Sequence, residues 1–172
     1  MLAILVTVPA VAVAEWRDLH GRVQGDGPSV KGIGPLSAQL FFRKSLDETV
    51  QNWGHLARAI YIVSQPLVRR GESIVAMVGF NGCTMTAERR CNLTVKYKVL
   101  APSGATYGES QESELWQRED PKVGNVLMPG VGLLEAKIEA TDELGPYTVE
   151  ALITDKISNA SMTLTSRFRV VE

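Results

Sequence analysis

Histidine and cysteine are scarce in this sequence, whose 172 residues include two of each. His20 and His55 lie far from each other and from both cysteines. A zinc site needs four ligands at short spacings, so the sequence predicts none. No G-x-S-x-G motif is present, and neither histidine has a partner motif that would make it a catalytic base. We therefore expect no metal, no cofactor and no catalytic residue.

Neither sign of charge is in surplus, because 18 Lys and Arg residues stand against 19 Asp and Glu. Nucleic-acid binding needs a basic surplus, so we expect no nucleic-acid partner. No apolar run reaches the roughly 20 residues of a transmembrane helix, so we expect no integral membrane span. With 45% hydrophobic residues, the chain is too apolar for a disordered protein. Its length suits one folded domain.

The first fourteen residues are apolar apart from Thr7 and carry no charged side chain. They end in Ala12-Val13-Ala14, which has small residues at the two positions that signal peptidase reads. This pattern predicts a signal peptide over residues 1–14 and hence a periplasmic or secreted protein. The alternative interpretation is a buried N-terminal strand, since valine recurs through the segment.

Cys83 and Cys91 are separated by seven residues. This spacing matches neither a C-x-x-C redox motif nor a zinc site. In an oxidising compartment two cysteines most simply form one disulfide; the alternative is a pair of buried free thiols. We expect the bridge to clip a hairpin, at the ends of two neighbouring strands, around an exposed loop from Thr84 to Arg90. The chain-entropy model gives so short a loop about 2–3 kcal/mol of stabilisation.

Glycine and proline divide the rest of the chain. Residues 15–35 contain five glycines and two prolines, which predicts an extended or mobile leader. Ser45 and Glu48 have capping-box spacing, and Leu46, Val50 and Trp53 follow at helical intervals. One short helix is therefore predicted there.

Over residues 36–172, short runs of alternating apolar residues are separated by turn residues, as is typical of strands. About eight such runs favour an all-β, antiparallel β-sandwich over a βαβ arrangement. The most apolar run, Ser73 to Phe80, is expected to be central, Ala57 to Gln65 to be a further strand, and residues 111–120 to be a polar loop. The clearest inward-facing positions are Leu93, Val95, Tyr97, Val99, Tyr147, Val149, Ala151, Ile153, Met162, Leu164, Phe168 and Val170.

The segment from Asp142 to Val149, DELGPYTV, resembles the D-x-x-G-x-Y-x-V corner of immunoglobulin-like domains. Together with GFNGC at 79–83, CNLTV at 91–95 and PSG at 102–104, it makes residues 36–172 similar to uncharacterised exported bacterial proteins with an immunoglobulin-like β-sandwich domain. The resemblance implies that fold, with Tyr147 as its tyrosine corner, and it carries no functional assignment.

Two surface features are candidate binding sites. Trp116 lies in an acidic segment and suggests a sugar-stacking platform or a calcium-binding loop; the alternative is a solvated loop anchored by the indole. The acidic residues around it are Glu109, Glu112, Glu114, Glu119 and Asp120. Arg89 and Arg90, like the doublet Arg69-Arg70, indicate an acidic partner, an anionic surface or simple solubility.

Taken together, these features favour an exported, non-enzymatic interaction or structural module. We expect it to bind another envelope or extracellular protein through a sheet edge or through the loop between the cysteines. One alternative is a carbohydrate-binding module that uses Trp116 or Trp16. Another is a hydrolase, which would need two carboxylates facing each other across a cleft.

Overall fold

The computed structural model describes residues 16–17, 23–44, 66–120 and 127–172. Every regular element within these ranges is a β-strand. The all-β prediction is therefore confirmed for this part of the chain. The predicted signal peptide, the helix beginning near Ser45 with Trp53, and the strand from Ala57 to Gln65 lie outside the described residues.

Two sheets contain ten of the strands in the described ranges, numbered here in chain order. They are β3 (Val30–Ile33), β4 (Leu36–Arg43), β5 (Leu67–Arg69), β6 (Ser73–Asn81), β7 (Leu93–Leu100), β8 (Thr106–Glu109), β9 (Ser113–Trp116), β10 (Met128–Lys137), β11 (Gly145–Asp155) and β12 (Ala160–Val171). The four-stranded sheet has the order β10–β6–β4–β3, and the six-stranded sheet has the order β5–β12–β11–β7–β8, with β9 also pairing with β7. Two further strands, β1 (Trp16–Arg17) and β2 (Val23–Gln24), form a separate ribbon.

The two sheets pack face to face and enclose one hydrophobic core. On β7, β11 and β12 the inward positions are those predicted from alternation; Val95, Ile153 and Leu164 are completely buried. An aromatic row crosses the core, with ring centroids of Phe168 lying 5.7 Å from Phe42 and 5.2 Å from Tyr147. Such pairs add to the free energy of burial itself.

Strand β6 lies between β10 and β4, so its predicted central position is confirmed. Every residue from Ile74 to Phe80 is buried, as is every residue from Leu36 to Phe42 on β4. Burial on both faces explains why Ile74–Phe80 is continuously apolar whereas β7, β11 and β12 alternate. In β4 the buried residues include the polar Ser37 and Gln39.

The structure corrects three details of the predicted architecture. The pairing is not wholly antiparallel, because β5 runs parallel to β12 over Leu67–Arg69. The segment predicted as a polar loop over 111–120 contains β9, whose Leu115 is completely buried. The two apolar residues of β9, Leu115 and Trp116, are adjacent, so the segment shows no alternation that would reveal a strand. The four-stranded sheet also begins at Val30, within the segment expected to be a leader.

Both sides of the sandwich are bridged between its sheets. On one side the Thr165 amide of β12 donates to the Pro28 carbonyl, just before β3, over 2.6 Å. On the other side the Tyr97 hydroxyl of β7 donates to the Gly132 carbonyl of β10 over 3.0 Å. These hydrogen bonds therefore link the two sheets along both sides of the sandwich.

The buried hydroxyl of Tyr97 generates a pH-dependent prediction. Burial raises the pKa of Tyr97 above its ordinary value. Above about pH 10 the unfolded chain therefore ionises at this residue while the folded protein does not, so stability falls as pH rises. Tyr97→Phe is expected to cost about 1 kcal/mol at pH 7, because the Gly132 carbonyl loses its donor. That cost should shrink above pH 10, since phenylalanine cannot ionise.

Urea unfolding of both proteins at pH 7 and above pH 10 measures this difference. Ionisation of the exposed lysines affects both proteins equally and cancels in the comparison. A difference in unfolding free energy that stays constant with pH would contradict the assignment.

Candidate functional site

The predicted disulfide between Cys83 and Cys91 is confirmed, with 5.8 Å between the two Cα atoms and both residues buried. The prediction that it clips a hairpin is wrong. Cys83 follows β6 of the four-stranded sheet, whereas Cys91 precedes β7 of the six-stranded sheet, and these two strands do not pair. The chain crosses here between layers about 10 Å apart, so the bridge joins the two sheets at one end of the sandwich.

Gly82 begins this crossing in a conformation that requires glycine. Its φ angle is +72°, and a Cβ atom at this position would overlap the carbonyl oxygen of Pro35. An L-residue would therefore meet both a strained backbone conformation and a steric clash. Gly82 fixes the direction in which the chain leaves β6.

Asp155, at the end of β11, holds the crossing from the opposite sheet. This residue is 1% exposed. One oxygen accepts the Thr84 amide over 2.8 Å, and the other accepts the amides of Ile157 and Ser158 over 3.0 and 3.2 Å. A buried carboxylate is stabilised by several such charge-assisted bonds. Asp155 thus connects the β11–β12 turn to the first residue after Cys83.

The segment 84–90, called the disulfide loop from here on, folds back on itself. The Thr86 amide donates to the Arg90 carbonyl, and the Arg89 amide donates to the Thr86 carbonyl, each over 3.0 Å. The Arg90 amide also donates to the Thr86 hydroxyl over 3.3 Å. Arg89 closes this turn with φ of +59°.

A second segment supports the loop from outside. The Cys91 amide donates to the Arg118 carbonyl over 2.9 Å, and the Asp120 amide donates to the Arg89 carbonyl over 3.1 Å. Between them, Arg90 forms an isolated antiparallel bridge with Glu119. The backbone of the disulfide loop is therefore fixed at both ends and along one side.

Several loop side chains nevertheless face solvent. Met85 is 42% exposed, and the Arg89 side chain is 61% exposed. The Arg89 guanidinium lies 3.4 Å from the Asp120 carboxylate, while Arg90 donates to the Gln117 carbonyl over 3.1 Å. The pKa of the exposed Glu88 carboxyl is lowered, because it accepts hydrogen bonds from its own amide and from Thr86. The predicted basic doublet is thus engaged with nearby acceptors.

Trp116 lies half-buried beside this loop. Its indole N–H donates to the Glu119 carbonyl over 3.0 Å. Its ring centroid lies 5.6 Å from that of Phe80, and the Arg118 guanidinium sits 5.2 Å from the ring centroid. These contacts favour the anchoring interpretation of Trp116 over a sugar-stacking platform. Trp16 falls in β1, where only the backbone is described.

The acidic residues around Trp116 pair with different cations. Glu109 lies 2.5 Å from Lys96, and both carboxylate oxygens of Glu112 lie 2.8 Å from the Lys156 ammonium. The pKa values of the Glu109 and Glu112 carboxyl groups are lowered, chiefly because each carboxylate accepts a hydrogen bond from its lysine ammonium group. Over the described ranges, no group of three or more His, Cys, Asp or Glu residues is arranged to hold a metal ion.

Tyr147 lies at the opposite end of the sandwich from the disulfide loop, near the start of β11. Its hydroxyl donates to the Glu143 carbonyl four residues upstream, over 3.1 Å. The Glu143 carboxylate in turn accepts the hydroxyl and amide of Ser103, over 2.8 and 3.2 Å. Tyr147 therefore organises the loops at its own end and contributes nothing to the site around the disulfide.

The candidate site contains two residues that the sequence analysis did not single out, Gly82 and Asp155. A signal for Asp155 is present in the sequence. The inward positions Tyr147, Val149, Ala151 and Ile153 recur every two residues, and Asp155 is the next in this series. An acidic residue at a buried position of an alternating strand must accept hydrogen bonds from nearby backbone or side chains.

No family model matches the chain, and no curated protein matches it. Solved structures to which it is similar include a family 123 glycoside hydrolase from Clostridium perfringens, at 8% identity and a TM-score of 0.42, over 78% of this chain. The chain spans 27% of that hydrolase. The CARDB domain of a Pyrococcus furiosus protein matches at 10% identity and a TM-score of 0.39, over 80% of this chain and 90% of that domain.

A Niemann-Pick type C2 protein from Japanese carpenter ant is similar at 6% identity and a TM-score of 0.41, over 77% of this chain and 89% of that one. Identities of 10% or less and TM-scores below 0.5 assign no function to this chain. In the part of the chain that the structure covers, there is no apolar helix long enough to span a bilayer.

Asp155→Ala is expected to destabilise the protein by at least about 3 kcal/mol, because it leaves three backbone amides without their charged acceptor. Amide hydrogen exchange should accelerate at Thr84, Ile157 and Ser158 more than elsewhere in the sandwich. The control is Thr154→Ala, which removes an exposed hydroxyl that pairs with Ser161 and should cost less than about 0.5 kcal/mol. If Asp155→Ala lowers the free energy of unfolding by less than about 1 kcal/mol, water replaces the hydrogen bonds of the carboxylate and the prediction is wrong.

Gly82→Ala is expected to cost about 2–4 kcal/mol, since it combines a positive φ with a backbone clash. Gly104→Ala is the matched control, because Gly104 has φ of +85° but open space where a Cβ would lie. It should cost only about 1 kcal/mol. Equal midpoints of chemical unfolding for the two variants would mean that the Pro35 carbonyl moves away freely.

Proposed function

We propose that this protein is an exported, non-enzymatic interaction module that binds another envelope or extracellular protein through the disulfide loop. The observation that carries the proposal is a loop whose backbone is fixed by a disulfide, a buried carboxylate and a neighbouring segment while its side chains remain exposed. Such a loop loses little conformational entropy on binding, which favours affinity.

We also propose that the strands have an immunoglobulin-like arrangement, which favours this end of the sandwich. On that proposal the order β10–β6–β4 is equivalent to strands E, B and A of such domains, and β12–β11–β7 to G, F and C. In antibody variable domains, the B–C and F–G loops at one end of the sandwich bind antigen. The disulfide loop takes the B–C place, and the turn after Asp155 takes the F–G place.

The edge strands β10 and β5 are less suitable docking sites for a partner than the disulfide loop is. The longest edge strand, β10, has its Gly132 and Lys137 carbonyls occupied by the hydroxyls of Tyr97 and Tyr107. The edge strand β5 has three residues, and both backbone polar groups of Arg69 are bonded to Glu72. Strand addition needs a row of free backbone groups. The loop is therefore preferred over these two edge strands as the docking site.

The disulfide supports export, because bridges persist in the periplasm and outside the cell and are rare in the cytosol. The composition of the loop supports a protein partner, since methionine and arginine are enriched at protein interfaces. The acidic residues near Trp116 form ion pairs with separate cations. Carboxylate catalysis needs one free acid and one free base, so this pairing supports a binding role instead.

A photo-crosslinking amino acid at position 85 tests the proposal in the native cell envelope. We expect a discrete crosslinked protein, and we expect Met85→Ala to weaken binding of that purified protein about tenfold with an unchanged unfolding midpoint. The matched control is Leu152, which is 41% exposed on the outer face of β11, against 42% for Met85.

Two results would overturn the proposal. One is the absence of a crosslink at position 85 under conditions in which the protein is folded and exported. The other is the same crosslinked protein and the same loss of affinity from position 152, because contact would then not depend on the disulfide loop.

A further inference from the structure

Two arginines of β12 and one arginine of β5, which is distant in sequence, lie close together on the outer face of the six-stranded sheet. Arg167 and Arg169 face outward two residues apart on β12, which places them about 7 Å apart. The parallel pairing of β5 sets Leu67 opposite Arg169 and Arg69 opposite Val171. Because Val68 and Val170 point into the core, Leu67 and Arg69 point outward. These four residues, Leu67, Arg69, Arg167 and Arg169, are called the arginine corner.

The arginines of this corner are exposed, and none forms an ion pair with another described residue. Two nearby carboxylates have other partners: Glu172 lies 3.6 Å from the Arg70 guanidinium, and Glu72 uses one oxygen to accept the Arg69 amide over 2.8 Å. Glu150 lies diagonal to Arg167 and directly opposite Lys98 in the register, and it forms an ion pair with neither. The corner therefore presents three guanidinium groups to solvent.

An aliphatic side chain lies among these charges. Leu67 is 59% exposed, the largest exposed fraction among the large apolar residues that the structure describes. It pairs directly with Arg169, and Arg69 is two residues further along β5. A soluble polyanion gains nothing from an exposed leucine, whereas a lipid surface accepts both the leucine in its interface and the arginines among its headgroups.

We propose that the arginine corner binds an anionic lipid surface. The guanidinium groups contact phosphate headgroups, which suit the forked donors of arginine, while Leu67 enters the headgroup region. The corner lies on the face of β12 and β5, away from the disulfide loop. A lipid surface and a protein partner can therefore be engaged together.

Vesicles of phosphatidylcholine with and without 30% phosphatidylglycerol test the proposal by co-sedimentation. The unmodified protein is expected to bind the anionic vesicles and not the neutral ones. The variant R69Q/R167Q/R169Q should bind about a hundredfold more weakly, since each basic residue near an anionic surface contributes about a factor of five. No binding of the unmodified protein to anionic vesicles at low salt would overturn the proposal.

A charge-matched control separates this corner from the net charge of the protein. The variant K44Q/K137Q/K156Q removes three exposed lysines from other places and should retain binding within a few-fold. All these side chains are exposed, so circular dichroism should show equal unfolding midpoints for both triple variants. An equal loss of vesicle binding in the two variants would overturn the assignment to the arginine corner.

Leu67→Ser distinguishes a lipid surface from a soluble polyanion. It should weaken vesicle binding about tenfold while leaving retention on immobilised heparin unchanged. If Leu67→Ser binds vesicles as well as the unmodified protein does, and only the arginine variant loses heparin retention, the corner is a polyanion site and the lipid proposal is wrong.

Discussion

The crossing of the chain between two sheets at Cys83 depends on Asp155, a buried carboxylate whose three hydrogen-bond donors are all backbone amides. The nearby disulfide and Asp155 act on different states of the protein. The disulfide chiefly restricts the conformations of the unfolded chain, which stabilises the folded protein by about 2–3 kcal/mol for so short a loop. Asp155 stabilises the folded state, because only there do Thr84 and the β11–β12 turn meet the same side chain. Together they hold β6, β7 and β11 at one end of the sandwich.

This arrangement explains why a polar, exposed loop is ordered at all. Short exposed segments normally bury too little apolar area to offset the entropy of ordering them. Here Gly82 sets the direction of the chain, the two cysteines are buried in the core, and residues 118–120 pair with the outer side of the loop. The side chains of Met85 and Arg89 are then displayed on a backbone that is already fixed. The hydrogen bonds between the sheets along both sides of the sandwich add to this rigidity.

Alternation predicted most of the strands, because a strand with one buried face must repeat every two residues. It could not assign strands to sheets. The local pattern is the same when two strands joined by a glycine-containing turn form a hairpin and when they cross between layers. For this reason the sequence predicts a hairpin for the segment from Phe80 to Leu93. Strand β9 was missed for a different reason, since its burial depends on one residue, Leu115, and on pairing with distant β7.

The arginine doublets show the same limit for surface chemistry. Arg69 and Arg70 are adjacent in sequence, yet Arg70 donates to the Asp142 carbonyl and pairs with Glu172, while Arg69 faces solvent beside Arg169. Neighbouring residues of an extended chain point in opposite directions, so the partners of one say nothing about those of the other. Arg69 is exposed beside Arg169 because β5 pairs in parallel with β12 and points it away from the core. The charge available for binding is thus set by the topology of the sheet rather than by the number of basic residues in the chain.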